Sequence, residues 1–164
     1  MSEVNDFKQL VEKAIKEFIK NEGELLEMDV SERCITHSFA NYLDKCISCI
    51  SSNLRVDVEY NRRHIKDIKT TEWEVQPRKF IPDIVVHKRK TDENKLAVEI
   101  KKSTNKNKMA HESDKSRLGN LVESKYQYHY EYGLYLLFKT GKDYSSGENA
   151  VNYEYCWYQQ VNGG

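Results

Sequence analysis

The sequence predicts a mixed α/β domain in which helices pack against a central sheet. Three observations carry that expectation: apolar residues at helical spacing near the N-terminus, several short apolar runs further on, and a helical stretch interrupting those runs. The resulting order of two helices, three strands, a helix and two strands reads as an α/β or α+β sandwich. At 164 residues the chain fits a single domain over 1–164, burying roughly 70% of its unfolded surface.

Residues 3–20 repeat apolar positions at Phe7, Leu10, Val11, Ala14, Ile15, Phe18 and Ile19, a helical spacing that stops near Asn21 and Gly23. This N-terminal helix, 1–22, precedes a core over 29–158. A second helix starts after Asp29 or Ser31, either of which suits an N-cap. Its apolar face runs through Ile35, Phe39, Leu43, Cys46, Ile47 and Ile50. In "RVDVEY", Val56, Val58 and Tyr60 alternate with Asp57 and Glu59, as in a strand with one wet face. Residues 61–78 are polar with little periodicity and read as a long excursion. Strands are predicted over 79–87 and 95–101, followed by a helix over 113–130 that uses Leu118, Leu121, Val122 and Tyr126. "GLYLLFK" and "NYEYCWY" complete the set as strands joined by the Gly- and Ser-containing loop 141–150.

Charge narrows the function classes. Basic and acidic residues balance at 26 each, so no global field draws the chain to nucleic acid or anionic membranes. Locally, Glu22–Glu32 is acidic, whereas Lys101, Lys102, Lys106 and Lys108 form a basic run; such runs are more often solvated surface than phosphate contacts. No apolar stretch approaches the roughly 20 residues of a membrane span, and the N-terminus lacks a signal-peptide apolar core. A cytoplasmic protein with no membrane partner is therefore expected. Of Cys34, Cys46, Cys49 and Cys156, the middle pair forms a CxxC, but within a predicted helix and without a second pair. Reduced cysteines packed in a core are expected in preference to zinc.

The chemistry concentrates in "PDIVVHKRKTDENKLAVEIKKS", residues 82–103. In "LAVEIK", strand alternation puts Leu96, Val98 and Ile100 on one side and Ala97, Glu99 and Lys101 on the other. Glu99 and Lys101 then project about 6.6 Å apart at ~3.3 Å per residue. A hairpin centred near Thr91 and Asp92 pairs positions whose numbers sum to about 183, placing Asp83 opposite Ile100 and between Glu99 and Lys101, although a one-residue slip changes which side chains share a face. Two convergent carboxylates repel, and a divalent cation relieves that repulsion. Hard oxygen ligands favour Mg²⁺ or Mn²⁺. A metal there acidifies bound water and stabilises charge on phosphate, with Lys101 orienting the water or stabilising the developing charge, which points to hydrolysis of a phosphodiester. Acid–any–Lys occurs at five places in the chain and means little alone; spacing leaves open an Asp83–Lys101 ion pair of purely structural purpose.

Pro82-Asp83 followed by Glu99-Ile100-Lys101 resembles the PD-(D/E)XK nuclease superfamily, the restriction-endonuclease-like fold. The element order is similar to that family's αβββαβ core, a mixed central sheet flanked by helices, with an extra N-terminal helix. "ERCITHSFANYL", "VDVEYNR", "PDIVVH", "LAVEIKKS" and "DKSRL" resemble more narrowly a group of small stand-alone bacterial members, over roughly residues 32–138. The resemblance implies a metal-dependent nuclease acting on nucleic acid, with DNA the expected substrate. Asp83 and Glu99 would hold Mg²⁺ (or Mn²⁺), the backbone carbonyl of Ile100 would complete the site, and Lys101 would be the catalytic lysine. Glu32 matches a further acidic position on the family's first core helix; otherwise a glutamate in a first helical turn simply offsets the macrodipole.

Weaker candidates have ordinary explanations beside the functional one. His37 lies on the same helix as Glu32, where a partly buried histidine is common. Glu59 suits a solvated strand face or a ladder ion pair. Asp114 reads as an N-cap. Lys102, Lys115 and Arg117 are candidate phosphate contacts or surface charge. Tyr126, Tyr128, Tyr130, Tyr132 and Tyr135 suit base stacking or, more commonly, a core and its rim. The rival to an enzyme is an inactive domain of this fold that binds nucleic acid or protein; a Cys- and His-based zinc protein is a third reading. Nucleases of this fold often dimerise to cut two strands, so a homodimer stays open, with no interface identifiable in the sequence.

Overall fold

The structure, a computed structural model, describes residues 3–60, 81–123 and 129–160, with side chains from Asp6 onward. Helix α1 spans Glu3–Glu27 and α2 Glu32–Ser48. Strands β1 (Arg55–Val58), β2 (Ile84–His87) and β3 (Asn94–Lys102) follow. After α3 (Lys108–Val122) come β4 (Tyr130–Phe138) and β5 (Tyr153–Gln159). The predicted order of elements is the observed one. The five strands form one sheet in the order β1-β2-β3-β4-β5, antiparallel except for β3 and β4, which run parallel on either side of the α3 crossover.

Strand alternation divides the interior into two layers. Ile84 and Val86 of β2, Leu96, Val98 and Ile100 of β3, and Leu134, Leu136 and Phe138 of β4 face α1 and α2. There the rings of Phe18, Phe39 and Phe138 meet edge to face, 5.2–6.1 Å apart, a geometry aromatic quadrupoles favour. Val85, Ala97 and Tyr135 face α3, beneath Leu118, Leu121 and Val122. The helix comes close because β4 carries Gly133 under it: a Cβ there would sit 3.1 Å from Leu118 and from Val122. Residues Leu96–Ile100 are buried on both faces, as befits a strand between two helical layers.

Several expectations need correction. Helix α1 does not stop near Asn21; it bends at Glu22 (φ −124°, ψ 20°) and runs on to Glu27, burying Leu26 in the α1–α2 core. Ser31, not Asp29, caps α2, accepting from the Cys34 amide at 3.2 Å. Asp29 instead takes φ +52° in the turn between the helices. Ile50 lies beyond α2 and is exposed. Of the cysteines only Cys46 is buried, the other three being exposed and all four free. Asp57 is not on a wet face: it pairs with the buried His87 at 2.8 Å and with Arg89. Helix α3 begins at Lys108, earlier than the predicted 113, with Asn107 as its cap accepting from the Ala110 amide. Strand β2 starts at Ile84, so Ile81–Asp83 precede it. The excursion at 61–78, part of the strand predicted from 79, and Tyr126 and Tyr128 lie outside the described residues. Tyr130, Tyr132 and Tyr135 are buried. Among the described residues no helix is long and apolar enough to cross a membrane.

Candidate active site

The hairpin register decides which side chains meet. Ile84 pairs with Val98 and Val86 with Leu96, but His87 pairs with Asn94, so β3 carries Lys95 as an extra residue at the bulge. The bulge moves the strand body one position from the predicted register. Asp83, just before β2, therefore falls opposite Glu99 rather than Ile100, and the slip puts Asp83 on the α3 face with Glu99 and Lys101. The Asp83 carboxylate also reaches the strand itself: its Oδ2 accepts from the Ile100 amide at 2.7 Å. The Asp83 carbonyl accepts from the Glu59 amide at 2.9 Å, fixing the chain where it enters β2.

Lys101 is the centre of the cluster. Its Nζ lies 3.0 Å from Glu99 Oε1, 3.0 Å from Asp114 Oδ2 and 3.9 Å from Glu32 Oε1. Glu32 comes from the first turn of α2, and its Oε2 accepts from the Lys102 amide at 3.1 Å, tying the helix to the end of β3. Asp114 comes from α3, where it is buried and also meets Arg117 at 3.5 Å. The N-cap reading of Asp114 is thus overturned: it sits in the second turn and faces the sheet. Its place was visible in the spacing, because Asp114, Leu118 and Leu121 share the i, i+4, i+7 stripe that faces the core, and an acid on such a stripe needs a partner.

Glu99 is 6% exposed, and its Oε2 is buried without a hydrogen-bond partner. Burial and the nearby Asp83 charge push its carboxyl up to about 7, against the pull of Lys101. Burial also raises Asp83, opposed by the Ile100 amide and Lys101 and assisted by the charges of Glu32 and Asp114. Burial alone would lower Lys101, but Glu99, Asp114 and Glu32 outweigh it and the ammonium is held above its usual range. At neutral pH Lys101 is therefore a cation, suited to donating hydrogen bonds and not to accepting a proton.

The other candidates are placed elsewhere. Lys102 Nζ is tethered to the α1–α2 turn, 3.0 Å from Asp29 Oδ1 and within 3.2 Å of the Asp29 and Val30 carbonyls. Lys115 pairs with Glu112 and lies over the Tyr135 ring. Arg117 donates to Ser113 Oγ besides meeting Asp114. Glu59 is exposed with φ +49°, paired with Arg33, and His37 is exposed rather than partly buried.

The donors at Asp83 and Glu99 are hard oxygens, one of them unpartnered, which suits the chemistry of Mg²⁺ or Mn²⁺; Mg²⁺ ordinarily takes only one or two protein carboxylates and keeps several waters. Among the described residues no group of three or more His, Cys, Asp and Glu side chains stands ready to hold a metal ion. Comparison with protein-family models, curated proteins and solved structures gives no match.

Proposed function

We propose that the chain is a metal-dependent nuclease of the restriction-endonuclease-like fold, hydrolysing phosphodiester bonds in nucleic acid, with DNA the expected substrate. The observation that supports it best is the buried, unpartnered Glu99 Oε2 within the field of the Asp83 charge, with Lys101 held as an ammonium 3.0 Å from Glu99 Oε1. Asp83 and Glu99 would hold Mg²⁺, with the Ile100 carbonyl as the further ligand that the family resemblance implies. When bound, the metal supplies an acidified water and charge neutralisation at the phosphate. Lys101 stays protonated and orients the attacking water or donates to the scissile phosphate, where negative charge develops. Asp114 and Glu32 position Lys101 and keep it charged.

Cleavage of plasmid and single-stranded DNA with Mg²⁺ or Mn²⁺ tests this. Asp83→Ala removes cutting, and Lys101→Ala lowers it by on the order of 10²–10³, as loss of one preorganised donor does. Equal activity in wild type and both variants sinks the proposal. A second reading, an inactive domain of this fold that binds nucleic acid or protein, gains support from Lys101 itself, whose ammonium already lies 3.0 Å from Glu99 and from Asp114. Calorimetric titration with Mg²⁺ separates the two: a nuclease takes up metal at millimolar concentration, and Asp83→Ala removes the heat.

A further inference from the structure

The two edges of the sheet are built differently. Strand β1 is four residues long, opens on the exposed Arg55, carries Asp57 clasped by Arg89, and ends in the left-handed turn at Glu59. Short length, charge and a bend are the usual protections of an edge. Strand β5 is neither short nor bent, and its one charge is Glu154. It runs for seven residues, "YEYCWYQ", without Lys, Pro or Gly, and its pairing with β4 is unbroken from Gln159 to Tyr153. Among the described residues no strand pairs with its outer side. Tyr155 is 46% exposed and Val151, just before the strand, is exposed as well.

An open strand edge pairs with another strand, and the composition of β5 selects which one. In antiparallel self-pairing about a two-fold axis normal to the sheet, partners share a face, so their numbers must sum to an even value. The strand's midpoint is Cys156. Only the register centred there pairs all seven residues, and it sets Tyr155 against the second copy's Trp157, Glu154 against its Tyr158, and Tyr153 against its Gln159. Aromatic and aromatic–polar pairs of this kind stabilise a ladder, and no charge meets its like. Centring on Glu154 would oppose two carboxylates. The geometry points to a homodimer formed by antiparallel pairing of β5 with β5 of a second copy, centred on Cys156, making one continuous ten-stranded sheet. This interface does not depend on the nuclease reading.

The register brings the two Cys156 residues face to face, with Cα atoms about 4.5–5.5 Å apart, inside the roughly 4.4–6.8 Å that a disulfide spans. Single-cysteine proteins keeping Cys156, Cys34 or Cys49, with Cys46→Ala, are treated with diamide. Two thiols become one disulfide as the diazene takes up their two electrons and two protons. Cys156 should cross-link on the order of 100-fold faster than the other two, because pairing converts the encounter into an intramolecular one. Light scattering of the untreated wild type should give twice the 19.3 kDa chain mass. Cys156→Lys and Cys156→Glu proteins, each opposing its own charge, should be monomers, and an equimolar mixture should recover the dimer. A monomeric wild type, charge variants that remain dimeric alone, a mixture that stays monomeric, or cross-linking no faster at Cys156 than at Cys49 each overturns the interface.

Discussion

Replacing Glu99 by Gln makes the electrostatics of the cluster measurable without any substrate. The unfolded chain releases the Glu99 proton near its ordinary 4.5, whereas the folded protein keeps it to about 7. Between those pH values the folded state binds more protons, so stability falls as pH rises. At 1.36 kcal/mol per pH unit the full effect is about 3 kcal/mol of destabilisation by pH 8. Glutamine has the same shape and no charge, so it removes this loss. Against that, an amide group placed at Oε2 finds no partner, since that atom has none in the structure, and an unsatisfied buried polar atom costs about 1–3 kcal/mol. The balance is a variant roughly 1–2 kcal/mol more stable than wild type at pH 8 and equal or less stable at pH 5. Urea unfolding followed by circular dichroism in EDTA, at fixed ionic strength and both pH values, reads the difference. A Glu99→Gln protein whose stability falls with pH as steeply as that of wild type would refute the account of Glu99 as a buried carboxylate held above its usual range.

Lys101→Met strands Glu99 and Asp114 without their cation and should destabilise by about 3–5 kcal/mol at pH 8, the cost of breaking a buried pair from one side; the penalty should shrink at pH 5, where Glu99 takes up its proton, and denaturant melts at the two pH values check both. Gly133→Val forces a side chain where a Cβ alone would lie 3.1 Å from Leu118 and Val122, so α3 must lift, at about 1–3 kcal/mol measured by thermal melting. Asp29 accepts from Thr104 and Thr140 and pairs with Lys102, which hold its carboxyl at about 2. Because that value is depressed, the contribution is present above the ordinary 3.8 and disappears as pH falls through about 2. Asp29→Asn should therefore flatten the acid limb of the stability–pH curve, while a curve unchanged below pH 4 would rule out this network as its source.

Element order was legible because both helical stripes and strand alternation follow from burying one face at a time. Strand β3 was legible to within a residue at each end. Register was not, since the bulge at Lys95 depends on how the Lys88–Glu93 connector closes, Lys88 donating to the Glu93 carbonyl and Thr91 to that of Lys88, and turn length read from sequence does not fix that closure. The acids were found by their company: Asp83 and Glu99 interrupt apolar runs where an unpaired charge is costly. Asp114 was missed because a residue of good capping type was assigned to the helix start, when the Leu118 and Leu121 spacing already placed it one turn inside and facing the sheet. Glu32 was found only through the family resemblance, because nothing local to α2 shows that its carboxylate will meet the Lys102 amide.

The cluster has more negative groups than its cations neutralise. Asp83, Glu99, Asp114 and Glu32 converge, and the ammonium among them is Lys101, with Arg117 touching Asp114 from a more exposed position. Lys102, next in sequence, does not help: alternation turns it to the other face, where it serves Asp29. Without further positive charge the surplus is met by keeping a proton on Glu99 near neutrality, which is what a carboxyl raised to about 7 does. A divalent cation would meet the same surplus at the same buried oxygen while leaving Lys101 charged. A site designed only for stability has a less costly solution, since apolar residues of similar volume at buried ion pairs are often neutral or stabilising. Stability alone does not require Glu32, Glu99 and Asp114 around Lys101 with the Asp83 charge nearby, whereas the cation-dependent task proposed above would account for them.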